Sequence, residues 1–161
     1  MNDLPPQPSP SLTIRRVESF DLPVLAALPE ACFTAAWDQR WSQQSFAEVL
    51  AMPGAGAFIA AIGSEPVGFA VARVAADEAE LLLIGVLPGY RHSGHGRALL
   101  GHIVEALRRR DARQLFLEVA ESNEAAVRFY RAFGFESVGR RPGYFRGDRV
   151  VDARVMALPL R

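Results

Sequence analysis

Leu12 to Val17 alternates apolar and polar side chains, the period of a half-buried strand. Asp21 stands where a helix cap is wanted and Pro23 falls in the turn that follows, which predicts a helix to about Phe33. Ser42 predicts the cap of a second helix, Gln43 to Met52, closed by Pro53 and Gly54. Ala57–Ile62 and Pro66–Ala75 flank Gly63, Ser64 and Glu65, a hairpin signal with three loop residues, and Ala79–Leu87 adds a third antiparallel strand. The centre of that strand, Leu81–Ile84, is apolar on both faces, as a central position in a sheet requires. Leu99, Leu100, Ile103, Val104 and Leu107 then recur at helical spacing, and Arg108–Arg110 close the helix with charges that suit a C-terminus. Gln114–Val119 is a further strand. Strand, helix and strand joined by short links imply a right-handed crossover and a parallel pair. Asn123–Phe133 forms a helix stopped by Gly134, and Phe135–Arg140 with Val150–Leu158 predicts a closing hairpin around a Pro142–Asp148 loop. The expected architecture is α/β: a mixed central sheet, mostly antiparallel with one parallel pair, and helices on both faces.

Composition narrows this without redirecting it. The chain has 161 residues, half of them apolar, which predicts one domain over residues 12–161. Met1 to Ser11 carries four prolines and no apolar core, so it reads as a flexible tail rather than a signal peptide. Positive and negative side chains balance to zero, leaving no global field toward nucleic acid or a membrane; anion binding has to be local. No apolar run is long enough to span a bilayer, and the single cysteine, Cys32, offers no internal disulfide, so the expected compartment is the cytoplasm. Cys32 lies in an apolar helical stretch and reads as a small buried hydrophobe rather than a nucleophile. No His, Cys and Asp cluster has metal-ligand spacing.

One stretch breaks the ordinary rules. Gly89-Tyr90-Arg91-His92-Ser93-Gly94-His95-Gly96-Arg97 opens the third helix with glycines, histidines and arginines and no acid. A helix start carries partial positive charge and free N–H groups, and normally recruits Asp or Glu. Gly94 and Gly96 remove side chains where several N–H groups can converge on a phosphate. An ordinary glycine turn with solvated arginines is the plain alternative. The stretch is not a Walker loop, because Arg97-Ala98 stands where Lys-Ser/Thr is required, and Leu99 occupies the third glycine of a dinucleotide fingerprint. Glu118 does fall where a ribose-binding acid of that fingerprint could lie.

Arg91-x-x-Gly94-x-Gly96 resembles the acyl-coenzyme A signature of the GNAT N-acetyltransferases. Leu117-Glu118-Val119, Ser122-Asn123, Phe129-Tyr130, Gly134-Phe135, Arg140-Arg141, Tyr144, Asp152-Ala153 and Met156-Ala157-Leu158 extend the likeness to the RimI-type ribosomal-protein alanine N-acetyltransferases. It is strong over residues 78–158 and weaker over 12–77, where the Trp41-Ser42 helix start is its best echo. His95 between the glycines, Gly143 where a second tyrosine is common, and a longer stretch around Trp37 depart from the pattern and bear on the acceptor rather than the cofactor.

The resemblance implies acetyl transfer from acetyl-CoA (coenzyme A) to a primary amine, most simply the N-terminal α-amine of a protein, with a small amine such as a polyamine or aminoglycoside, or a non-catalytic acyl-CoA-binding module, as rivals. It implies a pyrophosphate on the amides of His92, Ser93, Gly94, His95, Gly96 and Arg97 beside Arg91. A bulge at Ile84-Gly85-Val86 would splay that strand from its parallel neighbour, admit the pantetheine arm, and leave an N–H near Val86 for the thioester oxygen. Asn123 would touch the arm and cap its own helix. Two readings of Glu118 stand side by side on the residues alone: a charge among apolar neighbours held for general base work, or an acid at the strand's open end paired with an arginine. The family position favours the base. Tyr130 reads by pattern as a core aromatic and by resemblance as the acid for the departing thiolate. The resemblance places Trp41 and Tyr144 beside the acceptor, with core or rim packing as the plain alternative for each. His102 faces away from the apolar stripe and is expected in solvent.

Overall fold

A computed structural model describes residues 10–35, 38 and 41–161. The expected tail over residues 1–9, and Trp37, lie outside the described residues. Seven strands, β1 (Leu12–Arg16), β2 (Ala55–Ile62), β3 (Glu65–Ala75), β4 (Glu78–Val86), β5 (Gln114–Ala120), β6 (Glu136–Arg146) and β7 (Val150–Pro159), form one sheet in the order β1-β2-β3-β4-β5-β7-β6. Only β4 and β5 run parallel, joined by the crossover helix α3 (His95–Arg108). α1 (Leu22–Cys32) and α2 (Gln43–Leu50) bridge β1 and β2, and α4 (Glu124–Phe133) follows β5.

The helices divide two cores across the sheet. Leu99, Leu100, Ile103, Val104 and Leu107 of α3, with Val127 and Tyr130 of α4, pack on Leu115, Leu117 and Met156. On the other face Leu25 and Leu28 of α1 and Phe46 of α2 pack on Ile59, Phe69 and Val71. Since Leu115 and Leu117 point into the α3–α4 core, strand alternation turns Phe116 and Glu118 toward the α1–α2 face.

The β4–β5 ladder is short. It pairs Glu78 with Gln114, Ala79 with Leu115 and Glu80 with Phe116, and beyond that rung the strands part. The bulge expected at Ile84-Gly85-Val86 lies elsewhere: Val71 pairs with Leu83 and Ala72 with Leu81, so Leu82 is the extra residue. The apolar run Leu81–Ile84 offers no mark that separates one position from the next. Gly85 has a packing reason instead; a Cβ there would come within 2.8 Å of the Phe69 ring and 3.2 Å of the Cys32 Cβ.

Local chemistry shifts other boundaries. Ser42 does cap α2, accepting from the Ser45 N–H at 3.0 Å. Asp21 does not cap α1 with its side chain; its carboxylate takes both arms of Arg15 at 2.6 and 2.7 Å and, closing the capping box of the preceding turn, the Glu18 N–H at 2.8 Å. Those bonds hold the buried Asp21 carboxyl down at about 2. The β2–β3 loop is Gly63-Ser64, because Glu65 already pairs with Ile62. The predicted Pro142–Asp148 loop is mostly strand: β6 runs to Arg146 and bulges at 142–144, where the Gly143 N–H donates to Asp152 at 2.8 Å. His102 is half-buried, edge-on to Phe58 at 5.0 Å, rather than in solvent.

Candidate active site

The α3 entry takes its shape from two residues in the left-handed region, His92 at φ +63° and Gly94 at φ +83°. Alternating handedness of this kind turns successive N–H groups to one side, the geometry of an anion nest. No side chain caps α3 and no acid lies in its first turn. The first helical bond runs from the Ala98 N–H to the Gly94 carbonyl, so the amides ahead of it have no partner within the helix. A Cβ on Gly94 would meet nothing within 4 Å, whereas one on Gly96 would touch Phe129 at 3.5 Å and Val86 at 3.8 Å. Gly94 keeps the nest open, and at Gly96 a Cβ would make only ordinary contacts with α4 and the end of β4.

Arg91 is engaged by protein. It donates from Nε to the Val86 carbonyl at 3.0 Å and from Nη2 to the Cys32 carbonyl at 2.7 Å, tying the loop to the ends of β4 and α1. Ser93 turns its hydroxyl to the Arg91 carbonyl at 3.5 Å. Arg97 lies over the Phe133 ring, 5.4 Å from its centre. His95 stacks obliquely near Tyr90 at 6.5 Å. Burial pushes the Cys32 thiol up to about 11, against a weaker downward pull from Arg91, which leaves a protonated, inert sulfur at neutral pH.

Where β4 and β5 part, a cleft of about 210 Å³ opens. Residues from both sides of the sheet line it: Asn123, Ala126 and Tyr130 of α4, and Glu80, Glu118, Trp41 and Tyr144 from the α1–α2 side. Ile84 also lines it. The Leu87 N–H bonds the Val67 carbonyl in β3, so by alternation the N–H groups of Ile84 and Val86 face the gap toward β5. Gly85, Val86 and residues 91–97 are not among the cleft-lining residues; the first two end β4 and the others form the loop beyond it.

Glu118 is paired with an arginine, as one of its two readings expected. Its side chain is 13 % exposed in the cleft wall, and Arg141 on β6 reaches it at 2.8 Å. The Arg141 guanidinium covers the Tyr144 ring at 4.9 Å, and the β6 bulge carries that ring into the cleft. Burial, reinforced by Glu118 and Glu80 and opposed by Arg141, raises the Tyr144 hydroxyl. Tyr130 is nearly buried, and that burial alone pushes its phenol far up, keeping it protonated. Asn123 caps α4 through the Ala126 N–H at 3.2 Å while lining the cleft. Trp41 packs on Phe46 at 5.1 Å and also borders the cleft.

Two carboxylates of this cleft were not singled out from the sequence. Asp38 accepts from the Ala35 N–H at 2.8 Å, and burial raises its carboxyl. Glu80 sits on the last β4–β5 rung. Burial raises its carboxyl first, then the charge of Glu118 and a hydrogen bond to it, against Arg141 and Arg73. The Ala79-Glu80-Leu81 pattern resembles any alternating strand entry; only the register brings Glu80 beside Glu118.

The arrangement offers an electropositive amide nest, a backbone-lined slot, carboxylates on one side and a phenol on the other. A model of the acetyltransferase (GNAT) family matches residues 22–135. The [ribosomal protein bS18]-alanine N-acetyltransferase of Escherichia coli K12 is 34% identical over 149 residues, 92% of this chain and 97% of that protein. The N-alpha-acetyltransferase RimI of Mycobacterium tuberculosis is 35% identical over 113 residues, covering 68% of this chain and 70% of that one. The crystal structure of the Escherichia coli ribosomal-protein-S18-alanine N-acetyltransferase superposes with a TM-score of 0.83 over 93% of this chain and 94% of its own. The nest at the start of α3 and the split between β4 and β5 are thus features of a chain that belongs to the GNAT acetyltransferase family.

Proposed function

We propose that this protein transfers the acetyl group of acetyl-CoA to the N-terminal α-amine of a protein, with a ribosomal protein beginning in alanine as the model acceptor. Residues 12–161 act as one catalytic unit in the cytoplasm. The observation that carries the reading is the cleft through the parted strands, with Glu118 on one face and Tyr130 on the other. The relatives named above, which share about a third of its residues, support the acceptor class.

The residues fit a diphosphate-bearing thioester. The nest has unpartnered amides and no competing acid, and the slot beside β4 presents backbone N–H groups. When bound, the thioester supplies an activated acyl group. Amides of 92–97 hold the diphosphate, while Arg91 braces the loop from behind. The N–H of Val86, which faces the gap, would favour the negative charge that grows on a carbonyl oxygen placed there. Asn123 lines the path of the arm. Glu118, held in place by Arg141, takes a proton from the incoming ammonium, and Tyr130, kept protonated by burial, delivers one to the departing sulfur. Trp41 and Tyr144 flank the acceptor. The attack is direct, since the nearest thiol, Cys32, is buried and protonated.

The test is thiol release. The sequence contains no lysine, so the enzyme offers no side-chain amine of its own to compete. Peptides with a free N-terminal alanine should release coenzyme A, and the same peptides with a blocked amine should not. Release with spermidine or an aminoglycoside alone would move the acceptor to small amines, and binding without turnover would leave an acyl-CoA-binding module. Glu118→Gln should lower kcat by about 10²–10⁴-fold with acetyl-CoA affinity unchanged; unchanged turnover across pH removes the base assignment.

A further inference from the structure

The reaction outlined above leaves one cleft carboxylate without a task. Glu80 and Glu118 face the same side of the sheet, because the register pairs Glu80 with Phe116 and alternation puts Phe116 and Glu118 on one face. Both carboxyl groups line the same cleft, and Glu118 raises the Glu80 carboxyl by its charge and by side-chain hydrogen bonding. Carboxylates only accept hydrogen bonds, so a bond between two of them needs a proton on one. We propose that Glu80 is a specificity-determining residue: it shares one proton with Glu118 while the acceptor subsite is free, and an incoming ammonium expels that proton and takes its place between the two groups. This rests on the N-acetyltransferase reading and deepens it.

The surroundings fit such a pair. Arg141 of β6 bonds Glu118 at 2.8 Å, and Arg73 of β3 stands directly across the ladder from Glu80. Asp38, between α1 and α2, and the phenols Tyr144 and Tyr130 line the same cleft. With one shared proton, the pair carries a single negative charge, which Arg141 balances. Burial and the Glu118 charge raise the Glu80 carboxyl, which makes Glu80 the member that holds the proton.

The protons balance. A bound ammonium drives the shared proton to solvent and meets two ionised carboxylates. It returns one proton to the pair as it becomes a neutral amine. The amine nitrogen then forms the new C–N bond as the C–S bond breaks, and its second proton ends on the sulfur through Tyr130. One proton has gone to solvent and the pair is back in its starting state. An acceptor without a positive charge has no means of opening the pair, so selection is for ammonium.

The experiment measures kcat/KM for an alanine-led peptide against pH, with thermal melting to confirm folding. In Glu80→Gln the acid limb should move to lower pH by roughly half a unit or more, and the peptide KM should rise about tenfold with acetyl-CoA affinity unchanged; Glu80→Asp should fall between it and the parent. Calorimetric titration of the peptide into the coenzyme A complex, in two buffers of different ionisation enthalpy, should show proton release in the parent and less in Glu80→Gln. An unmoved acid limb together with equal proton release overturns the shared proton while leaving the transferase intact. A parent enzyme that releases no thiol with any peptide overturns the function beneath it.

Discussion

Gly94 holds φ at +83° with open space where a side chain would go. An alanine there meets no neighbour, and its cost is backbone strain of about 1–2 kcal/mol. Relief of that strain turns the nest amides aside. Gly94→Ala should therefore weaken acetyl-CoA binding about tenfold with little change in secondary structure. Gly101→Ala, in the middle of α3 and also with open space, should leave binding alone and add up to about 1 kcal/mol of stability. Calorimetric titration and thermal melting of the two variants check this, and equal affinity in both would detach the nest from the cofactor. At this scale the sequence was legible wherever a residue contradicted its neighbours. Glycines and cations at a helix start, and an acid in Leu117-Glu118-Val119, stand out without a structure. The packing reason for Gly85 and the place of Glu80 do not, because they depend on neighbours distant in sequence: Phe69 and Cys32, and Glu118.

Between elements, Arg91 does work that its place in the signature disguises. Its fork joins the last residue of β4 to the last residue of α1, where carbonyls are left over and a cation is favoured. Phe33, just after α1, and residues Glu80–Ile84 of β4 line the cleft, so a single side chain ties two of its borders together. Arg91→Lys keeps the charge but loses the planar fork. It should behave like Arg91→Leu, lowering stability by about 1–3 kcal/mol and raising the KM for both substrates. A lysine variant with parental KM values would return Arg91 to a simple phosphate contact. Element type and order were legible because apolar periodicity sets them. The bulges at Leu82 and at residues 142–144 were not. Leu82 is one of four consecutive apolar residues, and Pro142-Gly143 reads as a turn until the Asp152 carboxylate, ten residues along, is found holding the Gly143 amide inside a strand.

Over the whole molecule, the parting of β4 and β5 joins these parts. Two cores pack independently on opposite faces of the sheet, so the gap between the strands can stay open without either core losing cover. The nest lies at the β4 end of the gap and the carboxylates on its α1–α2 face, which in the proposed mechanism would separate where the donor is held from where an amine arrives. The sequence announced a parallel pair through its strand–helix–strand order; how early that pair ends depends on the register of three rungs, which no local pattern encodes. The most direct measurement is a crystal structure of the protein with coenzyme A. The diphosphate should lie on the amides of residues 92–97, with the arm passing between β4 and β5 and the sulfur beside Tyr130. A diphosphate bound elsewhere, with the start of α3 closed by the protein's own side chains, would contradict it.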